Sequence, residues 1–143
     1  MRAFVAIPLP EAIRAELGAL CRRLQRAETR ATWVRPGRMH LTLRFLAEID
    51  AETARAYAVR LAARTRKCEP VRLAVTGTGA FPNPRRPSVL WAGVTALEGD
   101  LDALHHAAEH AARRAGLEAD ARKFHPHITL ARIRDRRRLG RIR

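Results

Sequence analysis

The sequence predicts an α+β fold built from two similar lobes, and three observations lead there. Helix-like and strand-like periodicities interleave along the 143 residues. A hairpin-like pair of strands, over 71–76 and 89–94, argues against a purely parallel sheet. Each half of the chain also holds a helix followed by a strand that carries His-x-Thr, which reads as a loose duplication.

The elements follow in order. Residues 3–7 (Ala-Phe-Val-Ala-Ile) form an apolar run stopped by Pro8 and Pro10, the mark of a buried strand. A helix is expected next, because Ile13, Leu17, Leu20 and Leu24 share one stripe while Arg14, Arg22, Arg23 and Arg26 lie off it. Trp33-Val34 lead through the turn signal Pro36-Gly37 into a strand from Met39 to Leu46. Asp50 is placed to cap a second helix that carries Ala54, Tyr57 and Leu61 and runs to about Cys68. The segment from Gly77 to Pro87 holds three prolines and Arg85-Arg86, and reads as the loop of the hairpin. A third helix, about Gly99 to Ala115, buries Leu101, Leu104, Ala108 and Ala111, with Gly116 as its stop. The last strand covers 127–133. Beyond it, 134–143 carries six arginines and is expected to be a mobile basic tail of one bilobal domain spanning 1–143.

Composition narrows the class of function. Apolar residues make up 47% and charged residues 29%, the balance of a globular chain able to bury a core. The formal net charge of +14 raises the local concentration of polyanions, so nucleic acid comes ahead of membrane as a partner. Only Lys67 and Lys123 among the 28 basic residues are lysine, and a base-composition bias would also enrich arginine. Cys21 and Cys68 are far apart without ligand spacing, which fits a reduced cytoplasmic protein. The apolar run at the N-terminus is too short for a signal peptide, and nothing reaches membrane-span length. A Walker loop, a dinucleotide fingerprint, His-Glu-x-x-His and Gly-x-Ser-x-Gly are all missing, which counts against those enzyme classes.

The chemistry lies in two strands. Met39-His40-Leu41-Thr42-Leu43-Arg44-Phe45 alternates, with Met39, Leu41, Leu43 and Phe45 on an apolar face and His40, Thr42 and Arg44 on the other. Taken alone, that is also the pattern of an ordinary strand with a solvated polar face. The repeat His127-Ile128-Thr129-Leu130 changes the weighing. With six His and nine Thr, roughly 0.4 His-x-Thr triplets are expected by chance, and the chain has two, each followed by Leu. Two histidines suit the opening of a cyclic phosphodiester. One takes the proton of the attacking water, and the other protonates the departing ribose oxygen. Threonine hydroxyls and arginine can hold the non-bridging oxygens.

These residues resemble the paired motifs of the 2H phosphoesterase superfamily. The flanks Met1-Arg2-Ala3-Phe4-Val5-Ala6-Ile7, Arg44-Phe45-Leu46 and Phe124-His125-Pro126 before the second motif, with Ala131-Arg132 after it, look like its RNA 2',3'-cyclic phosphodiesterases, also called 2'-5' RNA ligases. The resemblance implies two antiparallel sheets facing a central cleft with helices outside. It implies His40 as general acid, His127 as general base, Thr42 and Thr129 as phosphate ligands, a 2'-phosphate product, and neither metal nor cofactor. The expected partner is RNA with a 2',3'-cyclic phosphate end, the expected state a monomer, and the reverse type of reaction a 2'-5' ligation. Family members continue with further strands after the second motif, so the second lobe is expected to be shortened.

The remaining candidates are weaker. Arg132 follows Thr129 by three residues and faces away from His127 on an unbroken strand; a bulge or the strand's end would redirect it. Arg44 shares the catalytic face of a regular strand. His125 with His127 has metal-pair spacing but no evident third ligand, and His106 with His110 reads as a solvated helix face among alanines and acids, so no metal is expected. Phe45 reads as core, opposite His40. Trp33, Phe81 and Trp91 are base-stacking candidates that core packing would equally explain. Lys123 and Arg85-Arg86 are candidates to follow an RNA backbone, or plain surface. The competing reading is a non-catalytic RNA-binding module with the same fold and basic surface.

Overall fold

The computed structural model describes residues 1–26, 31–83 and 85–133. The elements are β1 (Arg2–Pro8), α1 (Glu11–Gln25), β2 (Ala31–Trp33), a 3-10 turn (Pro36–Arg38), β3 (His40–Glu48), α2 (Ala51–Thr65), β4 (Arg72–Phe81), β5 (Val89–Glu98), α3 (Leu101–Arg114) and β6 (His127–Ile133). Strand pairing follows the order β1-β3-β6-β5-β4, with β2 added on β6. The described residues form an α+β chain with three helices. It divides into two compact units, and β3, β4 and β5 each run from one into the other. The basic tail expected over 134–143 lies outside the described residues.

The first unit comprises Met1–Ile7, Thr42–Ala74 and Thr95–Pro126. Its helices start where short acids satisfy orphan amides: Asp50 accepts from the Thr53 N–H at 2.7 Å, and Asp100 from the Ala103 N–H at 3.0 Å. α3 ends in a Schellman arrangement. The Leu117 N–H returns to Ala112 and the Gly116 N–H to Arg113, with Gly116 at a φ of 89° that only glycine adopts without strain. The core joins Leu46, Ile49 and Tyr57 to Ala111 and Ala112, with Ala3, Val5 and Leu61 packed against it. Tyr57 donates to the Ala108 carbonyl at 2.8 Å, which keeps its buried hydroxyl satisfied. Burial pushes that phenol up to about 12.

The second unit comprises Pro8–Leu41, Val75–Val94 and the chain from His127 on. α1 buries Leu17 and Cys21 and packs on the 3-10 turn, where Gly18 lets Pro36 approach closely. Burial raises the Cys21 thiol, which disfavours its reactive thiolate. β6 is the centre of the strand pairing, with β2, β3 and β5 all antiparallel to it. Leu41, Ile128 and Leu130 are its fully buried large side chains.

The structure departs from expectation at several places: β1, read as a buried strand, is only partly buried and leaves Phe4 50% exposed. β4 continues through Gly77 and Gly79 to Phe81, where a loop was expected from Gly77 on. Gly79 serves the strand there, because a Cβ at that position would collide with the Trp91 ring. Phe45, expected in the core, is 53% exposed beside Phe4, their rings 6.2 Å apart. Arg44, expected on the polar face, is 7% exposed. One change explains the last two: Leu43 and Arg44 are buried in succession, so the in–out alternation of β3 changes phase after its motif.

Candidate active site

His40, His127, Thr129 and Arg132 fall within the second unit. Their arrangement follows from one register pair. Leu41 is the Cα partner of Ile128 across antiparallel β3 and β6, and both side chains are fully buried. The residues on either side of each must therefore point to the opposite face. Continuing the register by one residue puts His40 across from Thr129 and diagonal to His127, at roughly 7–8 Å. The two histidines and the Thr129 hydroxyl thus share one face of the paired strands.

His40 has a defined ring orientation. Its Nδ1 lies 2.8 Å from the Arg38 carbonyl oxygen. A carbonyl only accepts, so Nδ1 carries the proton and Nε2 is the atom left to exchange protons. The short 3-10 turn Pro36–Arg38, set by Pro36 and Gly37, presents that carbonyl just before the strand.

Arg132 reaches the same face by an irregularity. β5 pairs Trp91 with Thr129 and Leu90 with Ala131, so Leu130 is skipped and the register shifts between Leu90 and Trp91. Leu130 and Ala131 are consequently both buried, and exposed Arg132 comes round to the side of His127 and Thr129. The bulge, not an unbroken strand, governs its direction. Thr32 of β2 is its cross-strand partner.

Thr42 and Arg44 belong to the first unit. Thr42 is half-buried, on β3 two residues beyond His40. Arg44 does not join a phosphate-facing set. Its Nε donates to Glu109 at 2.7 Å, Nη1 to the Phe45 carbonyl and Nη2 to the Glu118 carbonyl, which ties β3 to α3 and the segment after it. Burial works to raise the Glu109 carboxyl, but hydrogen bonds from Arg44 and the Asp120 N–H outweigh it and hold the group below its ordinary value.

Sequence reasoning missed the company His127 keeps. Phe81 meets the imidazole edge to face, at 5.0 Å between centroids and 89° between planes, and Trp91 lies 6.2 Å away. The signal was present in Gly79 and Gly93, strand glycines that mark close approach. Gly93 is the cross-strand partner of His127 itself. His105 stacks on Phe124 at 4.1 Å, and burial lowers its pKa. Among the described residues no three His, Cys, Asp or Glu come together as metal ligands.

Known proteins are similar to this chain in sequence and in fold. The family model of LigT-like phosphoesterases matches residues 7–91 and 94–142. The chain belongs to the LigT-like phosphoesterases, a 2H phosphoesterase family. Among its relatives is an RNA 2',3'-cyclic phosphodiesterase of Aeropyrum pernix, 39% identical over 100 residues, which are 70% of this chain and 56% of the relative. The match thus spans just over half the length of that relative. Among solved structures, TT0787 of Thermus thermophilus aligns with a TM-score of 0.79 at 30% identity, over 94% of this chain and 75% of that one. E. coli LigT in complex with 3'-AMP aligns with a TM-score of 0.70 at 30% identity, over 92% and 72% respectively. This LigT-like chain holds both of its His-x-Thr motifs inside the matched segments. Among the described residues, no helix is long and apolar enough to cross a membrane.

Proposed function

We propose that the chain opens the 2',3'-cyclic phosphate at the end of an RNA, leaving a 2'-phosphate and a 3'-hydroxyl, with no metal or cofactor. The observation that supports this reading is the register of β3 on β6, which brings His40 and His127 to one face of the paired strands. In the proposed reaction His127 takes a proton from water, whose oxygen bonds to phosphorus. The bond from phosphorus to the 3' oxygen breaks, and His40 delivers a proton to that oxygen from Nε2. The Arg38 carbonyl supports this assignment, because a proton held on Nδ1 leaves Nε2 as the nitrogen that can carry the transferred one. Thr129 and Arg132 are proposed to hold the non-bridging oxygens, with Thr42 completing the set.

The relative's name, the nucleotide in the E. coli LigT complex and the +14 net charge all support an RNA end as substrate. Attack by an RNA 5'-hydroxyl in place of water would give a 2'-5' linkage by the same two proton transfers. Two free cysteines, one buried, fit a cytoplasmic setting, and we take the active form to be a monomer. The test is a short RNA ending in a 2',3'-cyclic phosphate, incubated in EDTA, with the product's end group identified. A 2'-phosphate formed at the full rate supports the proposal. A need for added metal, a 3'-phosphate product, or salt-sensitive RNA binding without turnover would each overturn it.

A further inference from the structure

We propose that Phe81 and Trp91 are positioning residues for His127, holding its imidazole at one angle across the reaction space. The inference rests on the reading of His127 as the general base. Two aromatic rings meet the imidazole and also meet each other. Phe81 stands perpendicular to it at 5.0 Å, Trp91 meets it at 6.2 Å and 60°, and Phe81 and Trp91 touch each other at 5.2 Å. Strand chemistry explains why the rings gather there. Trp91 pairs with Thr129 across β5 and β6, so it projects on the same face as His127 and Thr129. The direct partner of His127 is Gly93, which brings no side chain to compete for the space. On β4, Gly79 lies under the Trp91 ring, where any Cβ would collide with it. Phe81 follows two residues later, on the same face as Gly79. Gly79 therefore leaves the room that the Trp91 ring fills, whereas a Cβ at Gly93 would collide with the Thr76 carbonyl.

A flat imidazole on a strand has two-fold freedom about its outer torsion, and a base must aim one nitrogen at one water. An edge-to-face contact of this geometry favours one ring plane over others. The rings then act on the rate through His127, without touching the phosphate.

The experiment has two arms that fail separately. In the first, NMR of the ligand-free protein reads the His127 ring protons. Proximity to two aromatic faces predicts shifts displaced from the ordinary histidine range, and relaxation toward that range in Phe81→Leu. Ordinary shifts in the unaltered protein would overturn the positioning whether or not the protein is a cyclic phosphodiesterase. In the second arm, kcat and KM are measured on cytidine and adenosine 2',3'-cyclic phosphates. Phe81→Leu should lower kcat by about tenfold to a hundredfold, equally for both substrates and with KM little changed, and Phe81→Tyr should restore most of it. An unchanged kcat, or a rise in KM that depends on the base, would overturn the inference and assign the rings to substrate instead. Should Phe81→Leu not fold, Gly79→Ala displaces the Trp91 ring and is read in the same way.

Discussion

The strands β3 and β6 begin alike and end differently. Each opens on His-x-Thr-Leu, each alternates half-buried and buried through that motif, and each then buries two residues in succession before exposing the next. In β3 the doubled pair is Leu43-Arg44 and the exposed residue is Phe45; in β6 the pair is Leu130-Ala131 and the exposed residue is Arg132. The two arginines of the motifs therefore have opposite settings. Arg44 is turned inward onto Glu109 and two carbonyls, while Arg132 is on the open face beside His127. A one-residue difference between the strands separates an arginine that holds the protein together from one free of that duty. The motif is shared, and the residues just beyond it are specialised.

The histidines are where the strands should prove equivalent. His40→Ala and His127→Ala are each expected to cut turnover by about 10²–10⁴ while leaving the melting temperature unchanged, since both are partly exposed. Calorimetry beside a rate assay separates the two effects.

The arginines are where they should differ. Arg44→Ala leaves Glu109, only 15% exposed, without its main partner, and is expected to cost about 3 kcal/mol of stability in a urea titration. Arg132→Ala should change stability by less than about 0.5 kcal/mol and lower kcat/KM by about tenfold or more. If Arg132→Ala unfolds the protein, or Arg44→Ala reduces only kcat/KM, the contrast is wrong.

A smaller effect sharpens the same point. The carboxyl of Glu109 is held below its ordinary value in the folded state, so it contributes stability above the unfolded pKa of about 4.3 and loses it as pH falls further. Acidification from neutral toward pH 3 should therefore lower the urea midpoint. That slope should be shallower in Arg44→Ala, where the main hydrogen bond that lowers the carboxyl is gone.

Much of this was legible in the sequence, and the limits have a physical origin. Two helices were marked by their ends: Asp50 caps α2 and Gly116 ends α3 as expected, and Asp100 adds a cap that was not read. The two His-x-Thr motifs stood out because strand alternation puts their polar groups on one face, and both strands formed. Alternation gives no warning of where it breaks, however. It put Arg44 outside and Phe45 inside, and left Arg132 undecided, because a bulge depends on the partner strand. The extension of β4 was hidden for a related reason. Gly77 and Gly79 read as a loop until Trp91, on another strand, supplies the reason for a glycine. Strand β2, three residues long, had no periodicity to read. In each case the missing information sits on a neighbouring strand.

The measurement that bears most directly on the shared motif is a single-turnover rate on an RNA 2',3'-cyclic phosphate for His40→Ala, His127→Ala and the double variant. If one histidine is acid and the other base on the same phosphate, each single variant loses about 10²–10⁴ and the double loses little beyond the worse single. Either single variant keeping the unaltered rate, or the two losses multiplying in full, would contradict a joint site on β3 and β6.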